Sequence, residues 1–235
     1  EKQLEKVVIE SPNEDYKSIF YSSLYHTMLA PNLYQDVDGR YRGMDLEIHK
    51  TNDFDYYTVF SLWDTYRAAH PLYTLIEQER TNDFINTFLA KYDEGGIMPI
   101  WDLSANYTGC MIGYHAVPVI ADAYLKGIRS YDTEKAFTAM KHSAFQNKLG
   151  LKSYKELGYI PVEEESESVS KTLEYAYDDW TIAQMAKSMG KVEDFKLFSE
   201  RAQNYKNVMD PETNFARGRF RNTWFAPFDP YEVNF

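Results

Sequence analysis

Cysteine is almost missing from this sequence. Cys110 is the single one in 235 residues, which excludes an internal disulfide and any cysteine-based zinc site. Basic charge is scarce too. Twenty-five Lys and Arg stand against 36 Asp and Glu, for a net charge of −11. No basic stripe offsets repulsion from phosphate, so a nucleic-acid partner is excluded. No apolar run reaches the ~20 residues that a membrane span needs. There is no Gly-rich phosphate loop, no Ser-His-Asp order and no His-Glu-x-x-His helix. These absences leave acid–base chemistry or binding. The opening stretch "EKQLEKVVIE" has neither an initiating Met nor the apolar core of a signal peptide. The expectation is a chain that begins inside something larger.

Aromatic rings are what the sequence has in excess. Twenty Tyr, 14 Phe and four Trp make 16% of the chain, more than a plain helical bundle requires. Tyr offers an apolar face and a polar tip together, which suits a carbohydrate cleft or a polar-lined cavity. Helical periodicity dominates the rest. "EDYKSIFYSSLYHTMLA" carries Ile19, Phe20, Leu24 and Met28 on one stripe and ends at Pro31. "YTVFSLWDTYRAAH" begins a second helix, interrupted at Pro71. "TNDFINTFLAKYDE" opens on a Thr or Asn cap and stops at Gly95 and Gly96. "CMIGYHAVPVIADAYLKG" is apolar on most sides, with Pro118 expected to bend it. "DTEKAFTAMKHSAFQ" takes Asp132 as its cap, and "LKSYKELGYIPVEEESES" reads as loop with one helical turn. "SVSKTLEYAYDDWTIAQMAKSMG" ends at Gly190, and "KVEDFKLFSERAQNYKNVMD" stops at Pro211. Strand alternation is sustained nowhere, "KVVIE" and "RGRF" being the two candidates. About seven helices alternate with short turns and long aromatic loops. That predicts an all-α region over residues 1–235, built as part of an (α/α)6 toroid of helical hairpins. No repeat recurs at a fixed period, which argues against a tetratricopeptide array.

The candidate chemistry lies on three segments. In "TLEYAYDDW", Glu174 and Asp178 are four apart and share a helix face. Two readings stand: a solvated acidic face, or a buried pair whose repulsion and desolvation raise a carboxyl toward general-acid work. In "FSLWDTYR", Asp64 and Arg67 are three apart. Either they pair locally, or Trp63 stacks on a sugar while Asp64 accepts from its hydroxyls. "MPIWDLSANYTGCMIGYH" supplies Trp101 and Tyr107 as further walls. Cys110 and His115 there read as a small hydrophobe and a hydrogen-bonded core histidine. "DVDGRYRGMD" lacks the spacing of an EF-hand and reads as an internally paired loop, with Arg42 or Asp38 available to the cleft.

"DVDGRYRGMD", "YTVFSLWDTYRAAHPLYTL", "GCMIGYHAVPVIADAYLKGI" and "SVSKTLEYAYDDW", in that order, resemble the catalytic domain of glycoside hydrolase family 92, bacterial exo-acting α-mannosidases. The similar segments run from about residue 15 to the C-terminus. The resemblance implies an (α/α)6 toroid behind an N-terminal β-sandwich, inversion at the anomeric carbon, and a calcium ion contacting the mannose hydroxyls. It implies Glu174 as general acid and Trp63 and Asp64 as binding residues for the terminal mannose. Trp101, Tyr107 and Asp178 are the further substrate-binding candidates, and Asp178 or Asp179 either keeps Glu174 protonated by proximity or bonds within the helix. The β-sandwich, the segment supplying the general base and most of the calcium ligands are expected outside this chain. The implied substrate is a mannose-containing N-glycan or mannan oligosaccharide, and the implied location is periplasmic or cell-surface. A non-catalytic mannose-binding remnant and one subunit of a split enzyme are the alternatives.

Overall fold

The computed structural model describes residues 2–231. Among the described residues the main elements are nine α-helices: α1 Glu14–His26, α2 Leu62–Thr65, α3 Ala69–Ile76, α4 Gln78–Gly95, α5 Ala116–Leu125, α6 Thr133–Phe145, α7 Leu151–Leu157, α8 Ser168–Ser188 and α9 Val192–Arg201. Their ends follow local chemistry. Asn13 Oδ1 accepts from the Asp15 N–H at the start of α1, and Asp132 Oδ1 accepts from the Lys135 N–H at the start of α6, both at 2.9 Å. Helix α4 closes on Gly96 at φ +77°, where a side chain would be strained.

The long loops are not structureless, which corrects the all-α expectation. Among the described residues they fold into four small antiparallel ribbons. Strand β1 (Asn32–Leu33) pairs with β4 (Tyr57–Thr58), and β2 (Arg40–Arg42) pairs with β3 (Ile48–Lys50). Strand β5 (Asp102–Leu103) pairs with β6 (Asn106–Tyr107), and β7 (Arg219–Phe220) pairs with β8 (Thr223–Trp224). With two or three residues each, these strands are too short to display an alternating pattern. "RGRF" does contribute β7, whereas "KVVIE" forms no strand.

Two further expectations change for one reason. Pro71 lies inside α3 and Pro118 inside α5. Each is the third residue of its helix, in the first turn, where no intrahelical N–H bond is lost. Neither breaks its helix. The interruption after Trp63 falls instead at residues 66–68, between α2 and α3.

Helix α5 is the packing centre. Ala116, Val117, Val119, Ile120, Ala121 and Ala123 are all buried, and the helix touches α3, α4, α6 and α8. On α8, Ala176, Ala183 and Ala186 are buried as well. The aromatic loop 32–58 is pinned to α4 through Glu94. Its Oε1 accepts from the Tyr41 hydroxyl at 2.8 Å, and its Oε2 from the Tyr56 hydroxyl at 3.1 Å and the Met44 N–H at 3.0 Å. Beside it, Lys91 and Asp102 form a fully buried ion pair at 3.0 Å. Asp102 also accepts from the Thr58 hydroxyl and the Phe60 N–H, which fixes the strand leading into α2.

Two buried titratable groups, Asp179 and His70, make the fold sensitive to pH and substitution. Asp179 of α8 accepts from Arg201 Nε at 2.9 Å, Tyr114 Oη at 2.8 Å and Tyr154 Oη at 3.0 Å. Its burial outweighs these donors and pushes the carboxyl up to about 6. Arg201→Met, which leaves that carboxylate without its cation, is expected to destabilise by about 3–5 kcal/mol in denaturant melts at neutral pH. His70 sits among Phe60, Tyr73, Phe84 and Phe88 with neither ring nitrogen hydrogen-bonded. Burial lowers it from 6.5 to about 3. The folded state therefore keeps the neutral ring, and stability present above the unfolded value is lost as pH falls below it. By about pH 5 the loss reaches roughly 2 kcal/mol. His70→Phe should be at least as stable as the parent at pH 7 and should melt progressively higher than it toward pH 5. Parallel pH profiles for the two proteins would contradict this.

Candidate functional site

Helix α2 and the turn after it place Trp63, Tyr66 and Arg67 at positions i, i+3 and i+4, so the three side chains share a face. The segment is held at its base by residues 100–101. Ser61 bridges to Trp101, and the Leu62 N–H donates to the Ile100 carbonyl. All three side chains converge on Glu174. Oε1 accepts from Trp63 Nε1 at 2.9 Å and from Arg67 Nη2 at 2.7 Å, while Oε2 accepts from Tyr66 Oη at 3.0 Å. The guanidinium carbon of Arg67 also lies over both rings, 5.0 Å from the Trp63 centroid and 4.7 Å from that of Tyr66. Arg67 therefore pairs across the fold with Glu174 rather than locally with Asp64. Charge-assisted bonds of this kind exceed neutral ones in strength. Glu174 keeps only 15% of its side chain exposed, against 47% for Arg67.

Behind Glu174 lies a second carboxylate. His115 is fully buried, and its Nδ1 is 2.8 Å from Asp178 Oδ1. Asp178 Oδ2 accepts from the Tyr114 N–H at 2.8 Å. His115 Nε2 faces Glu174 Oε2 across 3.5 Å and has no hydrogen-bond partner. The His115 ring stacks on Tyr66 with centroids 4.2 Å apart. Gly113, at φ +81°, makes this placement feasible, since a Cβ there would sit 2.2 Å from His115 Nε2. Burial raises the Asp178 carboxyl, and His115 and the Tyr114 N–H counter that rise.

The sequence candidates do not all meet. Trp63, Asp64, Trp101 and Glu174 come together. Asp64 is exposed and accepts from the Ser61 hydroxyl, which in turn accepts from Trp101 Nε1 at 2.8 Å. Asp178 belongs to the same cluster but is completely buried with both oxygens engaged. It therefore cannot touch a substrate here and reaches the site only through His115. Asp179 projects to the opposite side of α8, toward Arg201, and has no contact with Glu174. Tyr107 stands apart, lining a cavity of about 170 Å³ with Tyr114, Tyr175 and Lys148. Burial pushes its hydroxyl up to about 12. Arg40 and Arg42 border another open cavity of about 390 Å³ in the 32–58 loop. There Asp38 pairs with Arg40, and Arg42 Nε donates to the Leu46 carbonyl. Tyr66, Arg67 and His115 are the residues of the cluster that sequence reasoning did not assign to the site. The i, i+3, i+4 spacing from Trp63 was the available signal for the first two.

Next to the cluster, Tyr66 and Arg67 form one edge of a cavity of about 200 Å³, closed on the other side by Asp122, Tyr177, Trp180 and Gln184. The Tyr177 and Trp180 rings stack at 6.0 Å and are partly exposed. This arrangement joins aromatic faces to hydrogen-bonding tips, the combination that holds a pyranose ring. Among the described residues no cluster of three or more His, Cys, Asp or Glu side chains is placed to hold a metal ion. The oxygens of Glu174, Asp178 and Asp179 are already occupied by donors from the chain itself. The side chains here thus do not fit a calcium site. No described helix is long and apolar enough to cross a membrane.

The α-mannosidase BT3965 of Bacteroides thetaiotaomicron, a family GH92 structure, superimposes with a TM-score of 0.95 at 48% sequence identity, covering 98% of this chain and 32% of that one. The inverting mannosidase BT2199 of Bacteroides thetaiotaomicron VPI-5482 does so with a TM-score of 0.92 at 36% identity, covering 99% and 33%. An uncharacterized secreted glycosidase of Arthroderma benhamiae is 28% identical over 181 residues, or 69% of this chain and 23% of its own. The chain thus spans about a third of the length of these solved structures. The sequence profile of the glycosyl hydrolase family 92 catalytic domain matches residues 1–234. With a match over nearly its whole length, the chain belongs to glycosyl hydrolase family 92.

Proposed function

We propose that the protein containing this chain is an exported exo-α-mannosidase. It would hydrolyse terminal mannose from N-glycan or mannan oligosaccharides with inversion at the anomeric carbon. Helices α3 to α6, α8 and α9 would form part of an (α/α)6 toroid, with the remaining helices and a β-sandwich supplied by sequence outside residues 1–235. The observation that carries this reading is the convergence of Trp63, Tyr66 and Arg67 on Glu174 in a family 92 catalytic domain. Segment 61–67 then forms one wall of the pocket for the terminal mannose. The Trp63 ring offers a face for the sugar, and exposed Asp64 offers a carboxylate to its hydroxyls. Trp101 supports that wall through Ser61. Tyr107, which lines a separate cavity, is kept as a more distant wall. Calcium, implied by the family resemblance, takes its ligands outside this chain in this reading.

Inverting hydrolysis needs one carboxyl that protonates the leaving oxygen and a second that activates water, ~6.5–9.5 Å apart. Glu174 has two roles open to it. As the proton donor it would hand a proton from Oε2, the oxygen that faces the unpartnered His115 Nε2. As an anchor it would hold Trp63, Tyr66 and Arg67 in register for the sugar. The geometry supports the anchor better. Arg67 and Trp63 occupy Oε1, and Tyr66 donates to Oε2, so a leaving oxygen has to compete with Tyr66 for that oxygen. In the anchor reading the acid, like the base, comes from outside this chain.

Glu174→Gln in the full-length protein separates the two roles. A lost proton donor lowers turnover of unactivated mannobiose by ~100-fold or more, while an aryl mannoside with a good leaving group is largely spared. A lost anchor lowers kcat/KM for both substrates alike, and this is the expected result. The family reading itself is tested by whether the full-length protein releases mannose from either substrate. No release, with the fold intact by circular dichroism, would overturn it.

A further inference from the structure

Asp178, His115 and Glu174 lie in a line, carboxylate–imidazole–carboxylate, with gaps of 2.8 Å and 3.5 Å. The inner gap settles one proton. At 2.8 Å from a carboxylate oxygen, Nδ1 cannot present a lone pair, so a hydrogen lies between Nδ1 and Oδ1. The outer gap is the informative one. With only that inner hydrogen, Nε2 is a buried lone pair facing Glu174 Oε2, which repels it, and no other polar partner is available. A buried nitrogen left in that state costs about 1–3 kcal/mol.

A second hydrogen in the outer gap removes both faults. The surrounding charges agree with it. Arg67 supplies one positive charge to Oε1 from the 61–67 segment, and Tyr66, from the same segment, is neutral. On the far side of α8, Asp179 is matched by Arg201. With two hydrogens the line carries a single negative charge, and Arg67 neutralises it. With one hydrogen it carries two negative charges against a single cation at a largely buried site.

We infer that Asp178, His115 and Glu174 form one unit that holds two hydrogens, one in each of its two gaps. His115 is thereby a positioning residue. Its Nε2 side keeps Glu174 Oε2 turned toward Tyr66, and Asp178 keeps the imidazole in register for that task. Three microstates share this proton count: a protonated Asp178, an imidazolium and a protonated Glu174. This proton count holds whether Glu174 is anchor or proton donor.

Low-field proton spectra of the full-length protein with ¹⁵N-labelled histidine, at neutral pH, test this directly. Hydrogens buried in this way exchange slowly; the one in the 2.8 Å inner gap is strongly deshielded and the one across 3.5 Å less so. Two such resonances are expected from this unit, and both are lost together in His115→Gln. Tyr66→Phe retains the ring on His115 but removes the hydroxyl at Oε2. It is expected to shift one of the two resonances and leave the other in place, which identifies the outer gap even if His115→Gln fails to fold. A single resonance, coupled to Nδ1 and unmoved by Tyr66→Phe, would overturn the inference. Because this readout needs no substrate, it fails or succeeds independently of mannosidase activity.

Discussion

An indole, a phenol and a guanidinium from one seven-residue segment donate to the two oxygens of Glu174. That carboxylate is the tie between the aromatic loops and the helical core. Without it, the short helix α2 would have little to hold its exposed face, because four residues cannot sustain a helix alone. With it, Trp63 and Tyr66 become rigid walls and Asp64 projects from a fixed backbone. The cost of burying charge is moderated by Arg67, which stays half exposed while its head group reaches Glu174.

Three acids on one helix face different fates because a helix turns 100° per residue. Glu174 and Asp178 are one turn apart and meet the same neighbours, Glu174 at the rim and Asp178 beneath it. Asp179 is rotated away and joins Arg201, Tyr114 and Tyr154. Tyr114 links the two sets, since its N–H binds Asp178 and its hydroxyl binds Asp179. The mixture of rings and acids in "TLEYAYDDW" therefore serves two purposes, an anchor for segment 61–67 on one side and a buried polar brace on the other. Such braces stabilise only when every member is satisfied.

Much of the fold was legible in the sequence where the physics is local. Asp132 capping α6, Gly96 ending α4 and the long run of α8 follow from capping and periodicity. The ribbons were not legible, because two-residue strands leave no period, and the prolines misled because their effect depends on position within the turn. At the site, the resemblance singles out Glu174, Trp63 and Asp64, and the fold brings Trp63 onto Glu174 with Asp64 beside it. Its partners were harder. Arg67 bonds a residue 107 positions away, and spacing within one helix offers a nearer acid, Asp64, as its natural match. His115 read as a core histidine, and it is buried, but its second nitrogen faces the site. Only the fold brings Asp178 to it, across a sequence separation of 63.

A crystal structure of the full-length protein with a mannose-configured inhibitor tests the central claim most directly. The account predicts the sugar ring packed on Trp63 with a hydroxyl bonded to Asp64, and Glu174 still holding Trp63, Tyr66 and Arg67. A sugar bound away from segment 61–67, or Glu174 released from Arg67 and bonded to the glycosidic oxygen, would contradict it.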